Sequence, residues 1–278
     1  MNYSFTNVWG QSWPLYRKAW IMLTAGVAIY LAANLPTYAV NIVQSVMTGG
    51  DQKAQLSQAS RSLLAGLGCF SGLWGIFVVL PIAAGLYWMG TRAARSEYPV
   101  LSDILQGFRR FPSVLGVMVL LCIAFLIPII LAFAVLLAIV YFGIGFETFK
   151  DGVQSTDFDD CSKAAVICGS VWSVVCVVVM YWIAMRTVFA WLIVTDGRLG
   201  RTGAMRSIEL SWRITQGHAL SLFGLFITIG LMVSATFCCC VLPMFIVGFP
   251  LALTQIGVAY NLLLNQDGIT HQSATPAA

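Results

Sequence analysis

Six long apolar runs, at about 19–47, 62–90, 113–145, 164–194, 218–241 and 244–264, recur along the chain with polar segments between them. A helix crossing the hydrocarbon core of a bilayer needs roughly 20 apolar residues. Each run therefore predicts a transmembrane helix, and the pattern as a whole predicts an all-α membrane protein with six spans in a single domain over 1–268. Several runs exceed the minimum, which leaves room for tilt or for an interfacial extension. The break around Leu242-Pro243 is so short that a tight hairpin and one long bent helix both remain open there. Pro36, Pro81, Pro128 and Pro250 lie inside runs and are expected to kink them, because proline lacks an N–H and crowds the carbonyl four residues back. The tail at 269–278 is small and polar and is expected to be disordered.

The polar segments carry a second periodicity. Between Ser102 and Phe111, the residues Ile104, Leu105, Phe108 and Phe111 fall on one helical face, with Asp103, Arg109 and Arg110 elsewhere. Between Ala204 and Thr215, Met205, Ile208 and Trp212 form a similar stripe, and Glu209 sits four residues before Arg213, the spacing of an ion pair. Near the N-terminus Phe5, Val8, Trp9, Trp13 and Tyr16 repeat it, with Pro14 expected to break or bend that helix. Each segment predicts an amphipathic helix. It either lies in the headgroup layer, aromatic face down and arginines up, or packs as a cap over the bundle. Trp9, Ile104 and Ile208 correspond, as do Ser12-Trp13, Gly107-Phe108 and Ser211-Trp212, and two spans follow each. This predicts three parallel units of interfacial helix plus transmembrane hairpin.

Composition excludes a water-facing fold. Of 278 residues 59% are apolar and 9% charged, against about a quarter charged in soluble domains. Arg17, Lys18, Arg92, Arg95, Arg109, Arg110, Arg198, Arg201, Arg206 and Arg213 fall on one side of the predicted spans. The other side holds Lys53, Arg61, Lys150 and Lys163 beside the acids Glu147, Asp151, Asp157, Asp159 and Asp160. The positive-inside rule makes the arginine-bearing side, and with it both termini, cytoplasmic. The net charge of +4 then reads as orientation charge and not as a nucleic-acid footprint, since no basic cluster lies away from the membrane flanks. The first twenty residues hold Trp9, Trp13 and Trp20 but no cleavable signal, so the first span is expected to direct its own insertion.

Candidate chemistry is sparse. Arg186 is the one charged side chain well inside an apolar run. It reads as an anchor snorkelling to the inner boundary, or as a contact for substrate, lipid or partner. With Arg109, Arg110, Arg206 and Arg213 it completes the set of candidate contact residues, the last four forming an arginine collar for anionic headgroups. Gly68-x-x-x-Gly72, with Gly66, Ser71 and Gly75, offers a smooth face for close helix approach. Asn34, Asn41, Gln44, Gln255 and Asn261 are in-span polar residues that either line a path or bond between helices. Every Asp and Glu is expected in a loop or surface segment, and His218 at the membrane interface. The eight cysteines include no C-x-x-C pair, so most read as small hydrophobes. Cys161 and the Cys238–Cys240 run face outward, where a disulfide remains an alternative. No metal, cofactor or catalytic set is expected, because no nucleophile–base pair or phosphate-binding glycine loop occurs.

The stretch Ser211-Trp212-Arg213-Ile214-Thr215-Gln216-Gly217-His218 resembles a segment of bacterial six-span membrane proteins of the YciC-like kind. It is similar also to the membrane domain attached to some glycerophosphodiester phosphodiesterases. Arg186, Asp196 and Gly197 resemble that group's fourth-span arginine and the acidic-glycine turn after it. Cys239, Cys240 and Pro250 resemble its last hairpin. The resemblance covers about 183–262 and implies a six-span bundle in the bacterial inner membrane. It carries no catalytic function, since the soluble phosphodiesterase domain is missing from this chain. Together these readings lead to a non-catalytic envelope scaffold or accessory that meets anionic lipids or an unknown protein partner. The alternative is a small-solute or lipid transporter. A cavity lined by Arg186, Asn34 or Gln255 would favour transport, and a filled bundle centre the scaffold.

Overall fold

The computed structural model describes residues 4–49, 58–144, 158–199, 202–239 and 241–266, and all of its regular structure is helical. α1 spans Phe5–Gly49 and α2 Gln58–Trp74; a π-helical turn at Gly75–Val79 leads into α3, Leu80–Ala94. A 3₁₀ turn at Leu101–Leu105 and the short α4, Gln106–Arg109, precede α5, Phe111–Ile144. α6 is Phe158–Thr187, α7 Ala190–Thr195 and α8 Ala204–Ile214. α9, Ala219–Cys239, is followed by a helical turn at Val241–Pro243, a π-turn at Met244–Gly248 and α10, Phe249–Gln266. Six helical stretches are long and apolar enough to cross a membrane. The protein is a multi-pass, all-α membrane protein. The tail at 269–278, and the acidic segment between α5 and α6 from Glu147 to Asp157, lie outside the described residues.

The three amphipathic segments take three different forms. The first is not separate at all: α1 runs without interruption through Pro14 and Pro36. The expected break at Pro14 does not occur, because its ring is exposed and a helix interior can lose one N–H when nothing crowds the ring. The second segment is a 3₁₀ turn joined to one turn of α-helix, and only the third is an independent helix, α8. Ser12, Gly107 and Ser211, the matched small residues, are all buried, and their neighbours Trp13, Phe108 and Trp212 are all exposed.

Contacts group the chain into two compact units, 1–117 with 189–278, and 118–188, a division that hydropathy does not mark. In the first unit α1 pairs antiparallel with α2 and α3. Gln44 donates to the Leu64 carbonyl (3.3 Å), and the Trp74 indole to the Ala33 carbonyl (2.7 Å). Leu86 and Met89 press on Gly26. The break after α9 is a hairpin: a Cβ on Gly248 would stand 2.8 Å from the Thr236 hydroxyl, whereas twelve residues of straight helix would separate the two by about 18 Å. α3 and α10 then run in the same direction and cross at glycines. A Cβ on Gly257 would stand 2.6 Å from the Gly90 carbonyl, and one on Gly90 2.7 Å from the Leu253 carbonyl. Backbone-to-backbone approach occurs here, whereas among the described residues a Cβ on Gly68 would meet only the Gln44 side chain, at 3.6 Å, and one on Gly72 nothing within 4 Å.

Both π-turns end two residues before a proline, Pro81 and Pro250. Widening the helix there gives room to the carbonyl that the proline ring would otherwise strike. For Pro250 that carbonyl is Ile246, and it is satisfied from another helix: Tyr16 donates to it at 3.0 Å and Thr24 at 3.2 Å. Around this point Tyr16, Ala19, Leu23 and Val27 of α1 form one face. With Ile82, Leu86, Met89, Leu251 and Leu253 it makes the hydrophobic core.

The second unit holds most of α5 and α6. Their apolar side chains face outward, among them Ile123, Ile127, Leu131, Val171, Val174 and Val178, as lipid-covered helices require. The fourth apolar run is not one helix, since it turns at Val188–Phe189 between α6 and α7. Thr187, at the end of α6, bonds back to the Ile183 carbonyl (2.9 Å), a geometry that bends helices.

Candidate functional site

The arginine-bearing end of the first unit is built by three chain segments that each leave a span. α3 ends at Arg95, after which Ser96 takes a left-handed conformation (φ 62°) and turns the chain. α7 ends at Asp196, in extended conformation. α10 passes through Tyr260 and Asn261. The Arg95 guanidinium forms an ion pair with Asp196 and donates through Nε to the Asn261 side chain (2.9 Å). It also lies 5.4 Å from the Trp88 ring centre. The Tyr260 hydroxyl donates to the same carboxylate at 3.2 Å, and the Arg198 backbone N–H at 3.0 Å. Asn261 also donates to the Thr91 carbonyl (3.4 Å). Arg95 is 8% exposed and Asp196 1%. A buried charge is tolerated only when paired and hydrogen-bonded, and here both conditions are met.

A second, more exposed layer surrounds this pair. Arg92 places one guanidinium nitrogen on both Asp103 oxygens (2.7 Å each) and another on Glu97 (3.1 Å), and Glu97 also pairs with Arg198. Beside the two layers lies a polar cavity of about 490 Å³. Its walls include Gln11, Arg95, Asp196, Arg198, Asn261 and Asn265. Each lining arginine is matched by a carboxylate, so the cavity suits a small polar or zwitterionic solute better than a bare ion.

Asp196 lies in a loop, as expected of the acids, and within that loop it is buried. Hydropathy could not show this, but one signal was present: few acids occur on the basic side of the spans, and each of those is a natural target for the surrounding arginines. Arg95 was legible only as orientation charge, and Tyr260 not at all.

The candidate contact residues are placed apart. Arg110 is half-buried and holds the Val194 carbonyl (2.8 Å) and the Asp196 carbonyl (3.4 Å) through Nη1. Arg109, Arg206 and Arg213 are exposed. Arg186, in the second unit, lies in the last turn of α6 with its guanidinium 5.4 Å from the Trp182 ring centre. Gln255 is buried in the packed core, and Asn34 bonds to Tyr30 one turn back on its own helix (2.8 Å). Neither borders the polar cavity. His218 approaches the Gln216 carbonyl at the turn before α9. Cys69, Cys122, Cys176 and Cys238 are free thiols; of the outward pairing considered above, Cys240 lies outside the described residues and the side chains of Cys161 and Cys239 are not described. Among the described residues no three His, Cys, Asp or Glu side chains converge as a metal site would need. Comparison with protein-family models, curated proteins and solved structures finds no match to this chain.

Proposed function

We propose that this protein is a non-catalytic scaffold or accessory of the bacterial inner membrane, with both termini in the cytoplasm, which meets anionic lipid headgroups and partner proteins through its arginine-bearing end. One observation carries this reading: the charges at that end divide into two populations. Arg92, Arg95 and Arg198 are paired with Asp103, Asp196 and Glu97 and hold the helix ends together. Arg109, Arg206 and Arg213 are exposed, where each basic residue near an anionic surface contributes about 1 kcal/mol of attraction. Gln255 is buried among packed helices and Asn34 bonds to its own helix, which favours the scaffold over a polar path lined by these two residues. Replacing Arg109, Arg206 and Arg213 together by Gln should weaken association with anionic nanodiscs while leaving the fold intact; unchanged association would remove the reading. Reporter fusions after Asp159 and Arg201 test the orientation, and a cytoplasmic signal after Asp159 would reverse it. The polar cavity favours the alternative, a small-solute transporter, and solute flux into proteoliposomes that is lost in a variant narrowing the cavity, such as Gln11→Trp, would replace the first reading by the second.

A further inference from the structure

The first unit contains a second cavity, of about 600 Å³, whose charged lining residues are arginines alone. It lies between the start of α5 and the segment entering α8, and its lining includes Gln106, Arg109, Arg110, Ser113, Thr202 and Gly203, with no carboxylate among the lining residues. Where the other cavity matches every arginine with an acid, this one is lined by two arginines and by no carboxylate. The side chains are of the kind that recognise phosphate: planar arginine forks with neutral hydroxyl and amide donors beside them.

Two further facts sharpen the placement. Arg110 is fixed by its bonds to the Val194 and Asp196 carbonyls, so one guanidinium is held in position before any ligand arrives, which lowers the ordering cost of binding. The apolar stretch of α5 begins at Phe111, immediately after these arginines, which sets the cavity at the depth where headgroup phosphates lie. The start of α8 opens on the same space: Gly203 is its N-cap and supplies no side-chain cap, so the unsatisfied N–H groups of that turn add to the positive potential.

We infer that the cavity between α4, the start of α5 and the start of α8 binds a phosphate group, and that its natural source is the headgroup of an anionic phospholipid. This deepens the reading above and rests on it: one lipid is held in a site, whereas Arg206 and Arg213 attract headgroups in bulk. Arg109 is the residue to test, because it is exposed and forms no ion pair among the described residues, while Arg110 also supports the fold.

The full chain is placed in nanodiscs of phosphatidylcholine mixed with phosphatidylglycerol, and retained lipid is counted by native mass spectrometry. The wild-type chain should keep phosphatidylglycerol in preference to phosphatidylcholine. Arg109→Gln should reduce that retention by roughly tenfold, the loss expected for one charge-assisted contact, and Arg109→Lys should restore part of it. A parallel arm titrates inorganic phosphate against the chain in phosphatidylcholine nanodiscs and follows the unfolding midpoint. Stabilisation by phosphate that is lost in Arg109→Gln, without retention of phosphatidylglycerol, would keep the phosphate site and overturn its lipid source. Retention and stabilisation unchanged in Arg109→Gln would overturn the site. If the Arg206→Gln, Arg213→Gln double variant alone lowers retention, the site falls and the collar stands. If no arginine variant changes it, both fall.

Discussion

Within the first unit, the two ends of the same helices behave differently. At the arginine-bearing end α1, α3 and α10 are closely packed: Tyr16, Leu23, Val27, Leu86, Met89 and Ala259 are buried, and glycines let α3 and α10 touch backbone to backbone. At the opposite end α1 and α2 are joined by few polar contacts, and Leu35, Tyr38, Ile42, Val46, Leu63, Phe70 and Leu73 are exposed. Apolar side chains line the spans at both ends. In lipid, apolarity gives helices no reason to prefer one another over the acyl chains, so close fit and polar bonds decide where they associate. The comparison teaches that this fold is held at one end, where the Arg95–Asp196 pair, the Tyr260 and Asn261 bonds and the glycine crossing coincide.

The largest effect that could break this comparison is expected from Asp196→Ala. Leaving Arg95 buried without its counter-charge should cost about 3–5 kcal/mol, measured as unfolding of the chain in detergent or nanodiscs. The double variant Arg95→Met, Asp196→Leu should recover only part of that loss, because it also removes the bonds to Tyr260, Asn261 and the Arg198 N–H; full recovery would show that the pair merely neutralises itself and does not hold the end together. Next in size, Gly257→Val forces a side chain against the Gly90 carbonyl and should cost about 1–3 kcal/mol. Gly72→Val, which meets nothing, should remain within about 0.5 kcal/mol of wild type. Equal losses in the two would move the close approach back to the glycine-spaced motif. The smallest effect is expected from Ile42→Ala at the open end, within about 0.5 kcal/mol in the same assay. A loss above about 2 kcal/mol there, the range of core truncations, would show that the outer ends are packed after all.

Much of the architecture is legible from residue order, and less of the site. The six runs and the alternating topology follow from length and hydropathy, and the cysteines that behave as small hydrophobes follow from their place in those runs. Proline positions were legible, but not their consequence: Pro14 leaves α1 unbroken, while Pro81 and Pro250 each follow a π-turn. The break at Val188–Phe189 was hidden inside one continuous apolar run. The Gly68-x-x-x-Gly72 spacing marks a smooth face without saying whether anything meets it. Asp196 and Arg95 stand 101 positions apart, in segments that read separately as a turn and as orientation charge. Arg109, in contrast, was visible as a candidate contact from its place beside a span.

Residue order alone fixes six helices in a bilayer, because in lipid every backbone N–H and C=O must be bonded within its own segment and about twenty apolar residues are needed to cross. It also determined which side gathers the arginines. Which arginines are buried in ion pairs, which are exposed, and which glycines touch emerge from the packing of distant spans. Those outcomes depend on partners brought together from distant spans, and in a medium as apolar as the helices themselves local pattern does not select the partner.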